Sequence, residues 1–282
     1  MVEKCITEQE DLNMIHNTNK ADIAEIDFKS ENDKCTQGTE CQTRLVSGTN
    51  LYDRYLGYPN SFPPPIISAC LNISCASTYE EYYRQVKKVS KGTAMRQSNK
   101  SDRNNFYCHT FDKKTFLPDF VEINTSKEVR CGGPMRPNYR KSVEDLGGFP
   151  TSFVEPQEPQ CALHYNQMWG IFSAKEGCKQ GDVVTNEKLL GYINFIRVGN
   201  LGWYGTILGH GAYLKYGIMY NLHFNIMKWI YDNSKYTQGI EYILYAGWEN
   251  GRGPGLQQWK KKLLWAPFYM VNLKNERVSE TC

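Results

Sequence analysis

Three groupings in the sequence carry residue types able to do chemistry. The first is Leu208-Gly209-His210-Gly211, where an apolar run ends and a helical pattern begins. A helix N-terminus leaves backbone N–H groups unpaired and carries partial positive charge. Glycines at 209 and 211 let an anion approach that backbone, which makes the junction a candidate phosphate cradle for a donor; the competing reading is a tight turn and no more. His210 suits a general base or a carbonyl polariser, since an unperturbed imidazole titrates at roughly 6.5; it also suits a cap or packing residue. The spacing matches neither the Walker nor the Rossmann pattern.

The second grouping runs from Asp119 to Arg130. On a helix Asp119, Glu122 and Ser126 share a face, and Glu122, Ser126 and Arg130 follow at i, i+4 and i+8. Facing a cleft, the stripe supplies a carboxylate for proton transfer (Glu122, with Asp119 beside it) and a guanidinium to hold an anion. Asn124, Ser126 and Arg130 would then position an acceptor. Facing solvent, the same stripe makes only ion pairs. The third grouping is Lys260-Lys261-Lys262 with Arg252 upstream, after the glycine-rich stretch 248–255. Lys260 and Arg252 are candidates for donor phosphate. Leu256, Trp259, Leu263 and Leu264 argue instead for a packed helix with solvated lysines. Cys161-x-x-His164 and Cys70-x4-Cys75 lack a second pair at finger spacing, so no metal is expected.

Elements must bring these groups together. Leu189–Val198 and Leu201–Leu208 are apolar, β-branched and aromatic runs joined by Gly199-Asn200, a hairpin signal. A helix over Ala212–Asp232 follows, with Leu214, Ile218, Leu222, Ile226, Trp229 and Ile230 on one face. Then come a strand at Ile240–Tyr245, a helix at Leu256–Leu264 and a strand at Pro267–Leu273. Upstream the pattern predicts a helix at Thr78–Val89, the basic stretch Met95–Lys100, a strand at Phe106–Phe111, a helix at Phe116–Arg130 and another at Tyr139–Leu146 that ends at Gly147-Gly148. Residues 150–160, with three prolines, read as a connection.

Strands alternating with helices imply an α/β or α+β fold, a mixed sheet flanked by helices. Three segments are expected: an acidic mobile leader over 1–50, an N-terminal half over 51–160 and a C-terminal half over 161–282, the halves being either one sheet or two pseudo-repeated units. The net charge of +3 hides an asymmetry, for residues 1–50 hold 10 acids and 5 bases, whereas 84–141 hold 14 bases and 5 acids. That basic block suits a phosphate or nucleic acid, or is an ordinary solvated surface. With 40% apolar residues the 282-residue chain can bury a sizeable core, which excludes wholesale disorder. No run of 18 apolar residues predicts a membrane span, and no secretory signal opens the chain, so the ten cysteines read as reduced thiols in a cytoplasmic protein.

The element order of the second half resembles the GNAT acyltransferase fold, and more narrowly its FemABX-like branch. Arg96-Gln97-Ser98-Asn99-Lys100 ahead of a strand resembles the basic Arg-x-x-x-Lys element of that branch, and Gly255-Leu256-Gln257-Gln258-Trp259-Lys260 its closing Gly-Leu, aromatic and Lys. The likeness spans roughly 78–275, with Gly209-His210-Gly211 standing where ordinary GNAT enzymes carry their acyl-CoA signature. It implies a transferase moving an acyl or aminoacyl group onto an amine, with acyl-CoA or aminoacyl-tRNA as donor and no metal. Gly209, Gly211, Lys260 and Arg252 would hold the donor, and His210 or Glu122 would take the proton. Arg96, Lys100, Asn124, Ser126 and Arg130 would bind a small-molecule or polyanionic acceptor. Two other readings remain open: a nucleic-acid-binding or base-modifying protein using the basic block, and an inactive scaffold docked through the leader.

Overall fold

The Gly199-Asn200 link does join two long antiparallel strands, and they form the middle of the molecule. Gly199 has φ +62°, and a Cβ there would sit 1.9 Å from Asp27 O, so only glycine fits. The computed structural model describes residues 21–28, 41, 55–59, 62, 65–130, 133–232, 234–249 and 254–272. In chain order the elements are β1 (Asp22–Ile26), β2 (Ser68–Asn72), α1 (Tyr79–Val89), α2 (Thr93–Arg103), β3 (Tyr107–Phe111), α3 (Leu117–Thr125), β4 (Val129–Arg130) and β5 (Gly133–Pro134). Then follow β6 (His164–Ala174), β7 (Lys179–Gln180), β8 (Val183–Val184), β9 (Glu187–Val198), β10 (Leu201–Gly209), α4 (Ile218–Tyr231), β11 (Tyr242–Gly247), α5 (Pro254–Lys262) and β12 (Ala266–Asn272).

Eight strands make one mixed sheet in the order β1-β12-β2-β11-β10-β9-β6-β3, parallel at β1/β12 and β10/β11 and antiparallel elsewhere. Strands from both sides of residue 160 interleave in it, so the two halves share a single sheet. The expected class, a mixed sheet flanked by helices, is the observed one. Both faces of β9 are buried, which is why its sequence is a continuous apolar run rather than an alternating one. Ile193 and Phe195 lie with Tyr82 of α1, Met95 of α2, Ile226 of α4 and Trp259 of α5. Leu189 and Tyr192 face the other way, onto Phe120 and Ile123 of α3.

α1 starts where Thr78 accepts the Glu81 amide and Glu81 reaches back to the Ser77 amide, two orphan donors satisfied at once. α2 and α4 meet closely at Gly217, whose added Cβ would lie 2.0 Å from Gln97 O.

Several expectations need correcting. Within the segment read as a mobile leader, Asp22–Ile26 forms an edge strand with Ala24 and Ile26 fully buried; most of that segment lies outside the described residues. Met95–Lys100 lies inside α2. The helix expected to reach Arg130 stops at Thr125, after which the chain turns into β4. Residues 139–146 form no α-helix; 3-10 turns at Pro137–Tyr139 and Glu144–Leu146 bracket the region. The helix expected from Ala212 begins at Ile218, because residues 214–216 form a 3-10 turn and Gly217 at φ +73° resets the backbone. β2 and β6 were hidden by their mixed polarity. Among the described residues no helix is long and apolar enough to cross a membrane.

Candidate functional site

β10 and β11 run parallel and paired only from Leu201–Trp203 to Tyr242–Leu244. Beyond that level they part. β10 bulges against β9 between Tyr204 and Thr206, and β11 shifts register against β2 between Leu244 and Gly247. Ala246 lies there at φ +52°, a left-handed backbone that non-glycine residues adopt at a cost. Past this level a cavity of about 660 Å³, a wedge between β10 and β11, is lined by both strands. Backbone and side chains of Tyr204–Leu208 form one wall, Tyr245 and Ala246 the other, and Arg130, Arg136 and Tyr139 close over it. Over Tyr204–Leu208 the β10 backbone makes no ladder with β11, so its polar groups on that side border the cavity. Burial pushes the Tyr139 and Tyr204 phenols up, and both stay neutral hydrogen-bonding groups.

A second feature lies at the far end of β10, where α3 crosses β9. Lys188 Nζ donates to both oxygens of Glu122, at 2.8 and 2.6 Å, and His210 Nε2 lies 3.1 Å from Glu122 Oε1. The Ala212 amide donates to His210 Nδ1 at 3.2 Å, which leaves the ring proton on Nε2, facing Glu122. Burial lowers His210, Glu122 raises it, and Lys188 and Arg130 help keep it below its ordinary value; the ring is neutral. Burial also pushes Glu122 up, but the Lys188 ammonium and the hydrogen bonds from Lys188 and His210 outweigh it and hold the carboxyl below the usual range. His210 therefore accepts a substrate proton only at Nδ1, by releasing the Ala212 amide. Glu122, with 47% of its side chain exposed, is the more accessible of the pair.

The other expected site residues divide sharply. Asp119 is buried, accepts the Leu189 amide at 2.8 Å, and has its carboxyl pushed up by burial. Asn124 accepts the Tyr192 hydroxyl at 2.6 Å inside the core. Ser126 Oγ donates to Ile123 O and accepts from both Arg130 and the Gly211 amide. Arg130 also donates to Gly209 O and Ile123 O, each at 2.9 Å. These bonds lash the end of α3 to the end of β10. They also remove the anion cradle: the Gly211 amide is taken by Ser126, the His210 amide by Leu190 O, and the helix starts seven residues later than Gly211. Gly209 and Gly211 are glycines for close packing, against Met219 and Lys127 respectively.

Lys260 is not at a phosphate site. It is fully buried, with Nζ donating to Gly247 O at 2.8 Å and Trp248 O at 3.2 Å, and so ties α5 to the end of β11. Arg252 lies outside the described residues. Arg96 and Lys100 stand on the exposed side of α2, over the opposite face of the sheet from α3, and join none of these contacts. Sequence reasoning missed Lys188, because it opens the apolar run of β9, and missed the wedge, because strand parting depends on a partner distant in the chain.

No protein-family model and no curated relative matches the chain. Among solved structures it is similar to the C-terminal domain of a candidate lysylphosphatidylglycerol synthetase from Agrobacterium fabrum, with TM-score 0.38 and 11% identity over 72% of this chain. The chain spans 58% of the length of that structure. It is also similar to FemX, with TM-score 0.44 and 8% identity over 87% of this chain and 72% of that one. FemX belongs to the branch that the sequence resembles. These are overall likenesses, and no residue role is carried over from them.

Proposed function

We propose that the chain is a transferase that moves an acyl or aminoacyl group onto an amine, with the donor held in the wedge between β10 and β11 and with a cytoplasmic place of action. The observation that carries this reading is the parting of two parallel strands at paired bulges. A strand edge without a neighbour offers alternating N–H and C=O groups to an extended, amide-bearing chain, which adds to the sheet as a strand would. The pantetheine arm of an acyl-CoA carries two such amides, and the aminoacyl end of a charged tRNA offers an amine and an ester carbonyl to the same strand edge. Arg130 and Arg136 at the cavity supply positive charge for the donor's phosphates. Amide donors along β10 suit the oxyanion formed when an amine attacks the donor carbonyl.

The attacking amine must lose a proton, and Glu122, kept ionised by Lys188 and His210, is the group to take it. Arg130 connects the two parts, since it borders the cavity and holds Gly209 O beside His210. In this reading Asp119, Asn124 and Ser126 position α3 rather than touch substrate. A second observation favours aminoacyl-tRNA over acyl-CoA: exposed Lys100, Arg103 and Lys215 ring a shallow hollow with Asn104 and Tyr216, a surface suited to a polyanion.

The test is a thermal-shift titration with acetyl-CoA and, in parallel, with aminoacyl-tRNA, using ATP as control. A donor that binds the folded chain raises the midpoint in proportion to RT ln(1 + [L]/Kd). The expected result is a saturable shift with one donor that Arg136→Ala weakens. With that donor, Glu122→Gln should lower kcat by roughly 10²–10⁴-fold while donor KM holds. If neither donor shifts the midpoint, the reading is wrong.

A further inference from the structure

Apart from the wedge, the chain gathers three metal-binding side chains at one buried point. Cys161 and His164 are a pair three residues apart, at the entry to β6. Cys41 joins them from far upstream in the chain. All three are buried, at 4%, 3% and 4% exposure for Cys41, Cys161 and His164. Their ligand atoms all lie within 4.8 Å of one another. We propose that Cys41, Cys161 and His164 form a zinc site that fastens the N-terminal segment to the body of the sheet.

The Cys161–His164 spacing matches tetrahedral coordination, and Cys41 lies within 4.8 Å of both ligand atoms. Bond lengths of about 2.3 Å to sulfur and 2.0–2.1 Å to nitrogen place neighbouring S and N ligands roughly 3.6 Å apart and two sulfurs roughly 3.8 Å apart. The Cys161 Sγ to His164 Nδ1 distance is 3.7 Å. The imidazole is already turned for the task. His164 Nε2 lies 3.2 Å from Phe28 O, so the ring proton belongs on Nε2 and the Nδ1 lone pair faces the thiols. This is the outer-shell arrangement that orients a ligating histidine, with a backbone carbonyl holding its other nitrogen. The Leu163 amide donates to Cys161 Sγ at 3.4 Å, and the buried Arg197 guanidinium is close enough to Cys161 for their charges to interact.

Charge and softness select the ion. Binding converts two thiols into two thiolates and releases two protons to solvent, while the neutral imidazole gives none. Two thiolates balance one divalent cation, and two sulfurs with one imidazole suit borderline Zn²⁺ rather than Mg²⁺ or Ca²⁺. Three protein ligands leave a fourth position for water or another donor.

The surroundings say what such a site does. Asn200 N donates to Asp27 O at 3.1 Å, Asp27 N donates to Asn200 Oδ1 at 2.9 Å, and Gly199 N donates to Leu163 O at 3.0 Å. The segment after β1 thus lies directly on the β9–β10 turn, and the metal would lock Cys41 to the same corner.

The test uses the full chain, reduced and reconstituted with Zn²⁺, with metal content read by elemental mass spectrometry. One tightly held zinc per chain is expected, with two protons released per zinc at neutral pH. Co²⁺ in its place should show a thiolate-to-cobalt charge-transfer band and tetrahedral d–d bands. The Cys41→Ser and Cys161→Ser chains should lose stoichiometric metal, whereas Cys75→Ser, at an exposed cysteine away from the cluster, should keep it. The wild-type spectrum decides the matter even if a cluster variant fails to fold. A reduced wild-type chain that takes up no zinc and gives no cobalt–thiolate band overturns the proposal. So does isolation with a Cys41–Cys161 disulfide that, once reduced, binds no metal.

Discussion

His223 on α4 is fully buried between two phenols, and this arrangement predicts a specific acid sensitivity. Tyr82 OH donates to Leu263 O at 3.3 Å and lies 2.7 Å from His223 Nε2, so Nε2 carries the ring proton and Tyr82 accepts it. Tyr204 OH lies 3.0 Å from Nδ1 and donates to it. Every member of this chain of bonds is satisfied with the imidazole neutral; a second ring proton would face the Tyr204 hydroxyl and force it to reverse. Burial accordingly pushes His223 down from 6.5 to about 3. The unfolded chain regains the ordinary value, so between these limits it binds one proton more than the folded chain. Stability from this group is therefore complete above 6.5 and is lost progressively as pH falls towards 3. From pH 7 to pH 5 the loss is about 2 kcal/mol, a figure that needs only a folded value below about 4. His223→Gln keeps a donor and an acceptor between the phenols but cannot take the proton. Urea unfolding of both chains at pH 7, 6 and 5 gives the comparison. The wild type should lose about 2 kcal/mol more than the variant, or about 0.7 M in midpoint at a slope near 3 kcal/mol/M. Parallel pH curves for the two chains, or an NMR titration of His223 near 6.5, would refute the reasoning.

Two further substitutions test the packing that frames the wedge. Gly217→Ala should destabilise the chain by about 3 kcal/mol or more in chemical denaturation, since φ is +73° and the new Cβ would lie 2.0 Å from Gln97 O, which has no flexible side chain to yield. Lys260→Met should cost roughly 1–3 kcal/mol by stripping the donor from Gly247 O and Trp248 O, and should leave the affinity for any donor of the folded chain unchanged; a selective loss of donor binding with normal stability would return Lys260 to the site.

The contrast between what the sequence revealed and what it hid follows the range of the interactions involved. The β9–β10 hairpin was legible because its signal is local: two apolar runs and a Gly-Asn turn. The helix start expected at Ala212 is wrong because Gly209-His210-Gly211 reads as a helix entry, and only the positive φ of Gly217 and its contact with α2 show where α4 begins. The wedge depends on where β11 leaves β10, and the cysteine–histidine cluster on where Cys41 is carried; neither pairing has a local signature.

The α3 stripe is the most instructive case. Its residues do converge, but a helical wheel offers only cleft or solvent, whereas most of this stripe of α3 is packed on the sheet. It lies across the ends of two strands, where Asp119, Asn124 and Ser126 are consumed by amides and hydroxyls of the sheet. Glu122 alone remains accessible, next to Lys188 and His210. A carboxylate held ionised at an exposed edge by Lys188 and His210 has its position determined by the fold and its outer face open to solvent. Of the three carboxylate and imidazole groups at this corner, Asp119 and His210 are held by backbone amides, and Glu122 is the one the proposed transferase would use as its base.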